Sequence, residues 1–216
     1  MEMISLTFIL IGMTALVSYQ AFNNASMRYN LAFHPASVQE FGQYYRFLTS
    51  GFVHADWQHL ILNMYVFYLF GNQLEYVFTE AIFNPTMGRI IFLLFYLSAI
   101  VFSDIPTFFK HRNNTAYSSL GASGATSALL TAYILFEPWG WFLLPPLPGI
   151  IFAVAYLWYS SYMSKHGRDN IAHDAHLWGA VYGLIFMIAT AAIFAPQLLD
   201  YFLAKILEGP TMPGFL

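Results

Sequence analysis

Ile90-Ile91-Phe92-Leu93-Leu94-Phe95 is an unbroken apolar run, and its pattern decides the fold class. A strand of a membrane barrel alternates apolar and polar residues over about ten positions, because one face meets lipid and the other the lumen. This run does not alternate. The other structure that satisfies its own backbone hydrogen bonds in lipid is the helix. The run sits inside an apolar block over 89–108, close to the roughly 20 residues that cross a hydrocarbon core.

Comparable blocks occur at about 3–22, 57–78, 120–136, 147–163 and 172–195. Together they predict an all-α, polytopic membrane protein with six transmembrane helices in one domain over residues 1–216. Composition agrees: 58% of residues are hydrophobic, 19% aromatic and 9% charged, against about 25% charged in soluble domains. The charges gather between the blocks, so the hydrophobicity comes in pieces that a bilayer can solvate. Met1-Glu2-Met3 lacks the basic start of a secretory signal, and no small-residue cleavage motif follows, so the first block is expected to be a retained span.

The net charge of −3, without a basic stripe carrying interleaved aromatics, argues against a nucleic-acid partner. Absence of cysteine removes disulfides, thiolate metal sites and cysteine nucleophiles together. The connection over 23–56 is rich in Tyr and Phe and contains Pro35. It is too apolar for a disordered linker and too polar to span, so it should lie at the lipid interface as short amphipathic pieces. Pro85, Pro106, Pro138, Pro145, Pro146 and Pro148 all fall near expected span ends, where a missing N–H costs least.

Polar residues inside apolar blocks are expensive and are functional candidates by default. Ser123 stands in Gly121-Ala122-Ser123-Gly124-Ala125, at the start of the fourth block. A serine there can simply pack, but the glycines admit close backbone approach. The first helical turn also has free N–H groups that could hold an oxyanion. A serine hydroxyl needs a base, and His176 is the best candidate. It lies one turn before Gly179, with Gly183 a further turn on. This small-residue stripe lets its helix press against a neighbour, and the fourth block offers Gly121, Ala125 and Ala128 to receive it.

His59 and Asn63 are four residues apart and share one helix face. They can form an interhelical clamp or act as side-chain donors to an oxyanion. His173 and His176 have a spacing compatible with metal, but no HExxH motif and no inward carboxylate accompany them, so neither a metal nor another cofactor is expected. Asp174 is two residues from His176, nearly opposite it on a helix, and makes a poor third member of a triad.

In this order and spacing the residues resemble the rhomboid family of intramembrane serine proteases. The likeness runs from Gln43 to Gly183. It rests on Tyr45-Arg46-Phe47-Leu48-Thr49, where the family usually has Trp-Arg, then on His54, His59 and Asn63, on Gly71 and Glu75, on Gly121-Ala122-Ser123-Gly124, and on His176, Gly179 and Gly183. The resemblance implies a compact six-helix bundle with a long interfacial loop between its first two spans. It further implies a Ser123 nucleophile activated by His176, without a required carboxylate. The oxyanion would be held by the N–H groups of Ser123 and Leu120 and by the side chains of His59 and Asn63. Arg46 and Glu75 would be structural. Water and substrate would pass the fifth helix and the loop at about 162–171.

One position departs from the family. Several bacterial members carry, four residues past the nucleophile, a Tyr that stacks on the catalytic imidazole; this chain has Ser127. Another group must orient His176, and Trp178 or a neighbouring hydrogen bond is expected to do so. Loop charges also conflict with the family topology. Arg28, Arg46, Lys110, Arg112, Lys165 and Arg168 fall on one side of the expected membrane, and Arg89 and Lys205 on the other. The positive-inside rule then favours an external N-terminus, whereas six-helix rhomboids keep both termini in the cytoplasm, and the resemblance is given the greater weight. The expected protein is a multi-pass protease of a bacterial inner membrane whose partners are transmembrane protein substrates and the lipid bilayer. The alternatives are a non-catalytic chaperone or trafficking factor of the same fold, or a small transporter relaying protons through His59, His173 and His176.

Overall fold

A computed structural model describes residues 4–142, 147–167 and 171–210. Among them every extended element is helical; two isolated β-bridges, Phe33–Ser119 and Trp141–Pro148, are the β-type pairings. In chain order the helices are α1 (Leu6–Phe22), α2 (Ala25–Leu31), α3 (Pro35–Phe41), α4 (Arg46–Thr49), α5 (Trp57–Tyr76), α6 (Pro85–His111), α7 (Ser123–Ile134), α8 (Gly149–His166), α9 (His173–Phe194) and α10 (Gln197–Glu208). Thus α1, α5, α6, α7, α8 and α9 fall on the six apolar blocks. Among the described residues, α6 and α9 are by length and composition the two helices long and apolar enough to cross a membrane, each with a mean hydropathy of 2.0. The others fall short for local reasons: α1 has 17 residues, α7 has 12, and α5 carries His59, Asn63, Gln73 and Glu75.

The long connection folds as three short helices and a 3-10 turn over Ser50–Phe52. Each start is written in the local sequence. Asn24 and Asp56 accept from the N–H groups of Met27 and His59, capping α2 and α5. Pro35 opens α3, and Gly42, at φ 65°, ends it. Arg46 is 2% exposed and sits among the carbonyls ending α2: Nη1 donates to Tyr29, Asn30 and Ala32 at 2.8 Å, and Nε to Gln43 Oε1 at 2.6 Å. A cation at a helix C-terminus complements its dipole. Glu75 does the converse for α1. Its carboxylate accepts from Ser5 Oγ at 2.6 Å, Leu6 N at 2.7 Å, and Thr7 N and Oγ1 at 2.8 Å, which satisfies a helix start that has no side-chain cap of its own.

Two elements differ from expectation. Pro106 lies inside α6 rather than at its end, because Asp104 and Thr107 on either side are buried, Asp104 accepting from Ser50 Oγ at 3.3 Å. That packing carries the helix past one missing bond, to His111. After Pro196 the chain makes a further helix, α10, with Gln197, Asp200, Lys205 and Glu208 along one face and Leu198, Leu199, Phe202 and Ile206 along the other. It packs through Phe202 against Phe136, centroids 4.9 Å apart, while Trp139 Nε1 donates to Ile206 O at 3.0 Å. Such a helix suits the lipid interface. Pro145 and Pro146 lie outside the described residues.

At the centre stands α7, with Gly124 through Ala132 and Ile134 buried. Helix α9 meets it at backbone distance. A Cβ on Gly179 would collide with the Gly124 carbonyl, and one on Gly183 with the Ala128 carbonyl. Thr131 Oγ1 donates across the same contact to Ala180 O at 2.7 Å. Small residues thus let two helices approach where side chains would hold them apart.

Candidate active site

Ser123 is the first residue of α7 and His176 lies in the first turn of α9. The glycine contact therefore brings their neighbourhoods together at one end of both helices. A Cβ on Gly124, next to Ser123, would lie 3.4 Å from the carbonyl oxygen of Ala175, next to His176. Both Ser123 and His176 are partly exposed, while Gly124 and Gly179 beneath them are buried.

The segment leading into Ser123 is held by successive tethers. Ser119 N donates to Phe33 O at 3.0 Å, Gly121 N to Ser50 O at 2.9 Å, and Ala122 N to His54 Nε2 at 3.2 Å. These leave the N–H groups of Leu120 and Ser123 interspersed among the bonded ones. Gly121 adopts φ 119°, a conformation L side chains rarely adopt, and a Cβ there would lie 2.8 Å from His59 Nε2. His54 fixes the same segment from below. Because Nε2 accepts from Ala122, the ring proton sits on Nδ1, which lies 2.9 Å from Ser18 Oγ. Burial, aided by the nearby His59, pushes His54 down to about 3, so it stays a neutral acceptor at physiological pH.

His59 and Asn63 face this segment from α5. Asn63 is buried; its Oδ1 accepts from Thr126 Oγ1 at 3.1 Å and its Nδ2 donates to His59 O at 2.9 Å. The amide carries two protons, so one donor is left beyond the internal bond. Thr126 Oγ1 also lies 3.2 Å from Ser123 O. The clamp and the oxyanion donor foreseen as alternatives for Asn63 are thus compatible: its oxygen clamps α7 and its nitrogen keeps a free proton.

Asp174 faces elsewhere, bonded to Lys110 Nζ at 2.7 Å and to Ser164 Oγ. His173 is buried against Tyr159, ring centroids 5.6 Å apart, and against His176 at 5.8 Å. Among the described residues no group of three or more His, Asp or Glu could hold a metal ion. The expected access loop at 162–171 is helical as far as His166, where α8 ends; residues 168–170 lie outside the described residues.

Trp178 is not the ring beside His176. It is 42% exposed, two residues further along α9 on another face. Besides the edge-on His173 ring, Tyr156 of α8 lies alongside His176, with centroids 6.1 Å apart and planes at 23°, and its hydroxyl lies 2.6 Å from Ser127 Oγ. Tyr156 was not legible as a site residue. The available signal was that Ser127 and Tyr156 are both polar groups within apolar blocks, and each needs a partner.

Fold and site define an all-helical membrane protein that gathers a hydroxyl, imidazoles and a carboxamide around one end of a central helix. The chain belongs to the rhomboid family: it matches the Rhomboid domain over residues 41–193, more than half its length. It is 24% identical over 180 residues to RHOMBOID-like protein 12, mitochondrial, of Arabidopsis thaliana, covering 78% of this chain and 53% of that protein. It is 27% identical over 159 residues to Rhomboid-like protein 11, chloroplastic, of the same plant, covering 68% and 52%. With Rhomboid-like protease 5 of Toxoplasma gondii the identity is 26% over 154 residues, 71% of this chain and 17% of that one. The chain spans about half the length of the two plant relatives. Their organellar names lend no support to the bacterial inner membrane expected from the sequence.

Proposed function

We propose that this chain is an intramembrane serine endopeptidase that cleaves transmembrane protein substrates through a Ser123–His176 dyad. The observation that carries this is the backbone contact of Gly124 with Gly179, which sets the starts of α7 and α9 side by side. His176 takes the Ser123 proton as Oγ attacks the scissile carbonyl, then delivers it to the leaving amine. Water, deprotonated by His176, hydrolyses the acyl-enzyme, and the proton returns to Ser123. The N–H groups of Ser123 and Leu120, with His59 and Asn63, hold the oxyanion. A transmembrane substrate has its carbonyls bonded within its own helix, so the scissile segment must unwind to reach Ser123.

Six membrane crossings fit this reading. A 12-residue α7 is roughly 18 Å long, against a hydrocarbon core of about 30 Å. Ser123 then starts its helix inside the bilayer. Both termini are assigned to the cytoplasm and the site to the outer side. The opposing loop charges lose force because Arg46 is buried as a helix cap and Lys110 is paired with Asp174. Reporter fusions at the two ends should both report a cytoplasmic location; an external C-terminus would overturn the assignment.

Hydrolysis of a single-span test substrate in proteoliposomes checks the reaction itself. Asn63→Ala is expected to keep the fold and lower kcat by about 10²–10³-fold, the usual loss for one oxyanion donor. Unchanged kcat would remove Asn63 from the oxyanion site and leave it as a clamp on Thr126.

A further inference from the structure

The aim of His176 is set from α8. We infer that Tyr156 is the positioning residue of the proposed dyad, holding the His176 imidazole by stacking while its hydroxyl is anchored, through Ser127, to the nucleophile's own main chain. This rests on the protease reading above.

Proton bookkeeping defines the anchor. Ser127 Oγ lies 2.7 Å from Ser123 O and 2.6 Å from Tyr156 Oη. A serine hydroxyl has one proton and a carbonyl has none, so Ser127 donates to the Ser123 carbonyl. The tyrosine hydroxyl must then donate to Ser127 Oγ. The relay Tyr156 O–H to Ser127 O–H to Ser123 O=C fixes the ring relative to the nucleophile, and the ring in turn flanks the imidazole at 6.1 Å and 23°, within the range of offset aromatic pairs. Phe152, one turn earlier on α8, continues the stack behind Tyr156 at 5.9 Å and 10°. An aromatic at position 127 would reach His176 from α7 itself. Here the small Ser127 leaves that place to a ring from another helix.

The consequence concerns α8. Of its residues only Gly149, Ala153 and Ser160 are buried, while Ile151, Val154, Trp158, Tyr159 and Tyr162 are exposed. It is the outer wall of the site, tied at its C-terminal end by Ser164 to Asp174 and by Lys110 Nζ to Ser164 O at 2.8 Å. Movement of α8 away from α7 and α9 withdraws Tyr156, so the dyad loses this hold when α8 is unseated. Substrate admission and alignment of the base become one event.

The test is steady-state kinetics on a transmembrane substrate, with thermal melting of each variant and labelling of Ser123 by a fluorophosphonate. Tyr156→Ala should lower kcat by about 10²-fold, the scale of a misaimed catalytic group, with KM nearly unchanged. Tyr156→Phe keeps the ring and loses one hydrogen bond, so it should fall only about fivefold. Ser127→Tyr combined with Tyr156→Ala restores a ring from α7 and should recover at least about tenfold of what Tyr156→Ala loses, since the imidazole is again held. If Tyr156→Ala melts early, Tyr156→Leu takes its place at similar bulk and should show the same kcat loss. Wild-type kcat in the ring-deleted variant, or a loss the double variant does not recover, overturns the inference while labelled wild-type enzyme leaves the protease reading standing. A wild-type protein that neither cleaves nor labels sinks both.

Discussion

Ser123→Ala is expected to eliminate proteolysis, with kcat falling on the order of 10⁶-fold, to the level left by binding and the oxyanion donors alone. His176→Ala should fall nearly as far, and the double variant scarcely further, because a nucleophile and its base act as one unit. Neither change should unfold the protein. Both side chains are partly exposed at the ends of their helices, and the α7–α9 contact is made by Gly124, Ala128, Gly179 and Gly183 rather than by them. Cleavage of a single-span substrate, followed beside the melting temperature, separates loss of chemistry from loss of fold. A chaperone of the same fold predicts the opposite pattern, with function indifferent to Ser123→Ala.

Gly179→Ala should be among the most damaging single-methyl changes at the described glycines. Its Cβ would meet the Gly124 carbonyl and Cα, which belong to the main chain and cannot rotate aside. The helices must separate, and overpacking of this kind costs about 1–3 kcal/mol. Displacing His176 by about 1 Å from Ser123 then costs on the order of 10²-fold in rate. The variant should therefore melt lower and cleave far more slowly. Gly12, where a Cβ would meet nothing within 4 Å, is the matched control, and Gly12→Ala should be near neutral. Full activity in Gly179→Ala would show that the close approach of α7 and α9 does not set the dyad.

Legibility in the sequence followed the kind of interaction. Apolar blocks are counted along the chain, so the positions of α1 and α5 through α9 could be read directly. Short amphipathic pieces in 23–56 followed from Tyr, Phe and Pro35 at the edge of what lipid accepts. Helix α10 escaped because Gln197, Asp200, Lys205 and Glu208 recur along one face, so it never forms an unbroken apolar block. Pro106 was misplaced because the packing that carries α6 past it comes from Ser50, which bonds Asp104 from 54 residues earlier in the sequence. Ser123 and His176 stood out as polar groups in apolar runs with glycines beside them, and His59 and Asn63 by their four-residue spacing in a third run. Tyr156 did not, since α8 carries Tyr156, Trp158, Tyr159 and Tyr162 around its circumference and only tertiary packing selects which ring meets His176. Asp174 was set aside from its spacing, and the structure pairs it with Lys110 and Ser164.

The most direct test of the central claim is the reactivity of Ser123 itself. The folded wild-type protein, treated with a fluorophosphonate and digested, should carry the adduct on the Ser123 peptide, and the adduct should be absent in Ser123→Ala and in His176→Ala. A well-folded wild-type protein that takes no label, or that labels equally without His176, would contradict a serine–histidine dyad and leave the client-binding alternative in its place.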